Sequence, residues 1–172
     1  YLLNFGKADP DKLYYIFAGS NDYLNMLQFE DNYNPAKMSK YVDYVVDGLL
    51  YSSKRLIKAG ATKVVLFGVP DIGIAPLFNK TMDSEIITKA CDWHNERLQN
   101  KIEVLRNKYP DVKITFVDTQ KIFTKLYSHA RDYGITNTSD ACMDVPLPGF
   151  AFSNDSPSYK AFGYNYVLEY TQ

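Results

Sequence analysis

At 172 residues, with 46% hydrophobic and 23% charged side chains, the chain has the length and make-up of one globular domain with a substantial core. A formal net charge of -1 gives no broad field to gather nucleic acid or an anionic membrane, and no apolar run approaches the ~20 residues that span a bilayer. No secretory signal is visible at Tyr1, and without an initiator Met the chain is expected to be a processed or trimmed product.

The first element is the short apolar run Leu13-Tyr14-Tyr15-Ile16-Phe17-Ala18, closed by Gly19. Continuous hydrophobicity over so few residues predicts a strand buried on both faces. Asn34-Pro35 is a helix start, with Asn as cap and Pro in the first turn. Apolar side chains then recur at Met38, Tyr41, Val42, Val45, Val46, Leu49, Leu56 and Ile57, which predicts a long amphipathic helix stopped at Gly60. Lys63-Val64-Val65-Leu66-Phe67 is a second buried strand. A long loop follows from Gly68, punctuated by Pro70, Gly73 and Pro76. A second long helix is expected over residues 83 to 109, with the stripe Ile87, Cys91, His94, Leu98, Ile102 and Leu105 and a stop at Pro110. Residues 112 to 117 form a third strand. Thr119 then caps a helix running to residue 132, with Ile122, Phe123, Leu126 and Ala130 inward. From Tyr133 onward Gly, Pro, Ser and Asn predict irregular structure, with residues 143–165 a loop or lid and a last short strand over residues 166 to 170. No repeat or linker divides the chain, so a single domain over residues 1–172 is expected.

Strands alternating with long helices imply right-handed crossovers and a parallel sheet covered by helices on both faces, a three-layer α/β/α sandwich. Ligands bind beyond the carboxyl ends of such strands. Here those ends are Gly19-Ser20-Asn21-Asp22, the loop after Gly68, and Asp118. Glycine lets a backbone approach a ligand closely. An asparagine amide can donate to an oxygen that gains negative charge during ester attack. Read alone, the tetrapeptide serves equally well as a Gly/Asn/Asp turn.

The stretch from Ala8 to Leu24, which contains Leu13-Tyr14-Tyr15-Ile16-Phe17-Ala18-Gly19-Ser20-Asn21-Asp22, resembles the third sequence block of the GDSL/SGNH hydrolases. Val64-Val65-Leu66-Phe67-Gly68-Val69-Pro70-Asp71-Ile72-Gly73-Ile74-Ala75-Pro76 is similar to the same family. So are His94-Asn95-Glu96-Arg97-Leu98, Ile114-Thr115-Phe116-Val117-Asp118, and Tyr133-Gly134-Ile135-Thr136-Asn137 with Cys142, all in the family order. The resemblance spans about residues 8 to 145 and is nearest to bacterial secreted phospholipases, lysophospholipases and glycerophospholipid:cholesterol acyltransferases. It implies an SGNH, flavodoxin-like fold and acyl transfer from phospholipid or lysophospholipid esters through a serine ester. It further implies a secreted, bacterial location, no metal or organic cofactor, a lipid ester substrate with peripheral membrane contact, and no nucleic-acid partner. Of the family's catalytic set it implies Asn21 as an oxyanion donor, with Gly19 and Asp22 supporting the motif.

No G-D-S-L-like block and no Asp-x-x-His motif occur in the chain. The nucleophile and its Asp/His pair are therefore expected outside it, on a complementary segment of the same protein. The fold is expected to be incomplete at both ends, and the chain alone inactive. Ser20 has no base beside it in sequence, and an unactivated hydroxyl is a weak nucleophile. His94, on the core-facing stripe, is expected to pack or hydrogen-bond, and His129 to be exposed. Cys91 is expected to be a buried free thiol. Cys142, in a loop, could pair with a cysteine elsewhere. The acids Asp9, Asp11, Asp22, Glu30, Asp31 and Asp71 are scattered without metal-ligand spacing. The alternative is a non-catalytic lipid- or carbohydrate-binding module on the same scaffold. A nucleotide-binding domain is disfavoured because no Gly-rich phosphate loop follows the first strand.

Overall fold

The computed structural model describes residue 2 and residues 6–26, 34–76, 78, 79, 81 and 83–140. The chain divides into two compact units, Tyr1–Ser139 and Asp140–Gln172, and every element below lies in the first. The expected loop over residues 143–165, the last strand and Cys142 fall outside the described residues.

Three strands, β1 (Tyr14–Ile16), β2 (Lys63–Phe67) and β3 (Lys113–Val117), form a sheet in the order β1-β2-β3. Both pairings are parallel, with Tyr14 beside Val64 and Val64 beside Ile114. The helices are α1 (Ser20–Met26), α2 (Pro35–Lys58), α3 (Asp83–Lys108) and α4 (Thr119–Ser128), followed by a 3-10 turn over Ala130–Tyr133. This is the α/β class with a parallel sheet that the alternating pattern predicts. The helix α1 is new: the sequence reads Gly19-Ser20-Asn21-Asp22 as a turn, whereas the chain starts a helix at Ser20.

The long helices follow from their sequences. Asn34 adopts extended backbone, and its Oδ1 accepts from the amides of Ala36 (2.9 Å) and Lys37 (3.4 Å), satisfying two donors that helix geometry orphans. Pro35 loses nothing in the first turn, where its missing N–H has no partner to lose. One face of α2 buries Met38, Val42, Val45, Val46, Leu49, Leu50 and Ile57. The facing stripe of α3 buries Ile87, Ala90, Cys91, His94, Leu98, Ile102 and Leu105. Full burial of each large aliphatic chain contributes roughly 1.5–3 kcal/mol, so this seam dominates the stability of the unit. Arg97 fixes its register by donating from Nη1 to Ser39 O (2.6 Å) and from Nη2 to Ser39 Oγ (2.8 Å), beside Asp43 at 3.2 Å.

Strand order explains which face these helices cover. Both connections step in the same direction across the sheet, so two right-handed crossovers place α2 and α3 on one face. Tyr14, Val64, Leu66 and Ile114 point to that face and are buried. The opposite face of β1 is open, with Tyr15 64% and Phe17 58% exposed and both rings leaning on Phe67, at 6.1 and 5.2 Å between centroids. Burial of β1 on both faces is thus corrected. The inward orientation of Ile122 and Phe123 on α4 is corrected too: they are 54% and 47% exposed. Ala130 is buried as expected. A helical layer on this second face is not supplied by the described residues.

The segment after β2, expected to be a long loop, is firmly tied. Asp71 Oδ1 accepts from Gly73 N (2.9 Å) and Thr88 Oγ1 (2.8 Å), while Ser84 Oγ donates to Gly73 O (2.9 Å). A Cβ on Gly73 would overlap Thr88 Oγ1 and the carbonyl of Ser84, one of them rigid backbone. Gly73→Ala is expected to destabilise the protein by about 1–3 kcal/mol through overpacking. Urea unfolding checks this: a midpoint equal to wild type would mean that the loop rides free of α3.

Candidate active site at the carboxyl ends of the strands

Three chain segments leave the sheet at its carboxyl edge: Gly19–Asp22 after β1, Gly68–Asp71 after β2 and Asp118–Thr119 after β3. Gly19 is buried with φ +118, a conformation that strains any residue with a Cβ. Space demands the same residue, since a Cβ there would meet His94 Cε1 at 3.0 Å, Val69 Cγ1 at 3.3 Å and Val45 Cγ1 at 3.5 Å. The sharp turn at Gly19 brings the chain straight from the strand into α1.

Within α1, Asn21 is exposed and Asp22 half-buried, and the Asp22 carbonyl accepts from Tyr41 Oη at 3.2 Å. Tyr23 points the other way and is fully buried. Its hydroxyl shares a hydrogen bond of 2.6 Å with His94 Nδ1, and the two rings meet edge to face at 5.6 Å between centroids. Burial pushes the Tyr23 phenol well above its usual range, with lesser contributions from Cys91 and Asp22. Burial pulls His94 down to about 4, so its imidazole is neutral near pH 7. His94 Nε2 has no hydrogen-bond partner among the described residues.

The next residue on α3 serves the other two segments. Asn95 Oδ1 accepts from Val69 N (2.8 Å), and its Nδ2 donates to Val69 O (2.8 Å) and to Gln120 Oε1 (2.8 Å). Gln120 in turn donates to Asp92 Oδ1 at 2.6 Å. A Cβ on Gly68 would overlap Asn95 Oδ1, and Thr119 Oγ1 donates to Gly68 O. Asp118, not Thr119 as the sequence predicts, caps α4 by accepting from Lys121 N at 2.9 Å, and the helix ends at Ser128 rather than at residue 132.

Gly19, Asn21 and Asp22 therefore stand together beyond the carboxyl end of a parallel strand. His94 packs and hydrogen-bonds in the core, as its place on the stripe predicts. His129 is exposed at the end of α4, its Nδ1 near Ser128 Oγ (2.9 Å) and Lys125 O (3.2 Å). Cys91 is a buried free thiol, pushed up to about 12 chiefly by burial. No histidine hydrogen-bonds Ser20 among the described residues. Sequence reasoning missed Tyr23, Asn95 and Gln120. Asn95 was visible only as part of a family-like block, and nothing in the sequence announces which backbone atoms it grips.

A family model for "GDSL-like Lipase/Acylhydrolase" matches residues 1–169. The chain belongs to this family. Its relatives include a GDSL esterase/lipase of Arabidopsis thaliana, 30% identical over 146 residues, which covers 80% of this chain and 40% of the relative. A phosphatidylcholine-sterol acyltransferase of Aeromonas hydrophila is 26% identical, covering 87% of this chain and 41% of the relative. A secreted effector protein of Salmonella typhimurium is 26% identical over 116 residues. The chain thus spans about two fifths of the length of the first two of these proteins. The family spans plants and bacteria, a wider range than the bacterial set that the sequence resembles.

Proposed function

We propose that the protein is a lipolytic ester hydrolase or acyltransferase, with Asn21 as an oxyanion donor and phospholipid or lysophospholipid acyl esters as substrates. The observation that carries this reading is the exposed Asn21 amide on the first turn of α1, directly beyond the carboxyl end of a parallel strand, in a member of a lipase/acylhydrolase family. A serine supplied by a complementary segment of the same protein attacks the acyl carbonyl. An Asp/His pair from such a segment accepts the serine proton and later delivers it to the leaving alcohol. As the carbonyl becomes tetrahedral its oxygen gains a full negative charge. The Nδ2–H of Asn21 donates to that oxygen. Water then releases the acyl group as an acid, or a second alcohol takes it as an ester. A sterol is the acceptor suggested by the name of the Aeromonas hydrophila relative. No step calls for a metal or an organic cofactor. The reading places the protein outside the cell, at a lipid surface.

The test is turnover by the full-length protein of a short-chain nitrophenyl ester and of phosphatidylcholine vesicles. Release of nitrophenol and of fatty acid is expected. Vesicle binding with no turnover of either ester would overturn the reading in favour of a non-catalytic lipid-binding module.

A further inference from the structure

The geometry points to His94, acting through Tyr23 and Gly19, as the positioning residue that aims the Asn21 amide; this inference rests on the reading of Asn21 as oxyanion donor. The starting observation is that α1 is short and is held by tertiary contacts, among them buried Met26, the Tyr41 bond to the Asp22 carbonyl and the Tyr23–His94 pair. A helix of seven residues does not stand alone in water, because nucleation outweighs the few bonds that follow. Its orientation must come from tertiary contacts. Residues two apart on a helix lie about 200° apart around the axis. Asn21 and Tyr23 therefore point in nearly opposite directions, one out to solvent and one into the core, as their burial shows. Fixing the rotation of Tyr23 fixes where Asn21 aims.

His94 fixes that rotation at two points. Its Nδ1 shares a hydrogen bond with the Tyr23 hydroxyl at 2.6 Å, an interaction across 71 residues of sequence. Its Cε1 sits where a Gly19 Cβ would come within 3.0 Å, so the ring edge sets how deep the chain lies as it enters α1. Two bonded atoms on one edge of the ring thus meet the helix at Tyr23 and the turn before it at Gly19, with Asn21 between them in sequence.

The choice of residue supports a positioning role. A fully buried imidazole whose Nε2 has no partner among the described residues costs stability that leucine would not. Either tautomer leaves that nitrogen unmet among the described residues. What histidine supplies and leucine does not is a polar atom at the Nδ1 position.

Steady-state kinetics of Tyr23→Phe, His94→Leu and His94→Asn in the full-length protein test this, together with the side-chain amide NMR signals of Asn21. A 1 Å misplacement of a catalytic group can cost 10²-fold, so Tyr23→Phe and His94→Leu should lower kcat by about tenfold or more. KM should stay within about twofold, because ground-state binding is untouched. His94→Asn keeps a polar atom near Nδ1 and should recover kcat to within about threefold of wild type. The Asn21 amide signals should move in Tyr23→Phe and His94→Leu and return in His94→Asn. Unchanged kcat and unchanged Asn21 signals in both disruptive variants would overturn the inference. If Asn21→Ala leaves turnover intact, the oxyanion reading fails, and the amide signals still decide whether His94 orients residue 21. Should His94→Leu not fold, Tyr23→Phe, which removes a single oxygen, settles the question.

Discussion

Replacing Asn21 with Ala in the full-length protein is expected to lower kcat by roughly 10²–10³-fold, equivalent to about 3–4 kcal/mol of transition-state stabilisation. The size follows from timing. In the ground state the ester carbonyl is a modest acceptor, whereas the tetrahedral oxygen is an anion, so the bond strengthens as the barrier is crossed. KM should therefore move little. Stability should also move little, because Asn21 is exposed and its side chain makes no hydrogen bond among the described residues. Asn21→Asp should lose as much, since a carboxylate offers no donor and repels the oxyanion. Steady-state kinetics on a nitrophenyl ester beside thermal unfolding of the same samples separates the two effects. An unchanged kcat in Asn21→Ala would remove residue 21 from the catalytic set.

Acidification should cost the protein on the order of 3 kcal/mol through His94 alone. Folded, His94 is neutral and pulled down to about 4; the unfolded chain restores the ordinary value of 6.5. Between those values the unfolded state binds a proton that the folded state refuses, so falling pH favours unfolding. The effect is absent above 6.5, grows down to about 4 and is then complete. Urea unfolding of wild type and His94→Asn from pH 7.5 to 4.5 measures it. Wild type should be the more stable at neutral pH, and the difference should shrink as acid is added. A difference constant across that range would show that His94 gives up no proton-linked stability on folding.

The long helices were legible in the sequence because 24 and 26 residues carry many repeats of the apolar stripe. Each strand was legible as a short apolar run between turn signals, and the parallel arrangement followed from helices lying between strands. A seven-residue helix such as α1 completes barely two turns, so Gly19-Ser20-Asn21-Asp22 looked like a turn. Periodicity also shows which side chains of an element share a face without showing whether anything covers it. The continuous apolar run of β1 and the stripe of α4 predict interior places for Tyr15, Phe17, Ile122 and Phe123, which are exposed. At the candidate site, the tetrapeptide placed Gly19, Asn21 and Asp22 at a strand end. The grip of His94 on Tyr23, and of Asn95 on Val69 and Gln120, was beyond reach: local chemistry does not encode which atoms meet across such sequence separations.

One turn of α3 reaches all three segments at the sheet's carboxyl edge, through His94 and Asn95. A substrate that displaced the Val69 backbone would break two hydrogen bonds at Asn95 and strain a third at Gln120. Adaptation loop by loop is thereby closed off. The rim meets its ligand as a preorganised body whose ordering entropy was surrendered during folding, leaving more of the binding energy to act on the reacting bond.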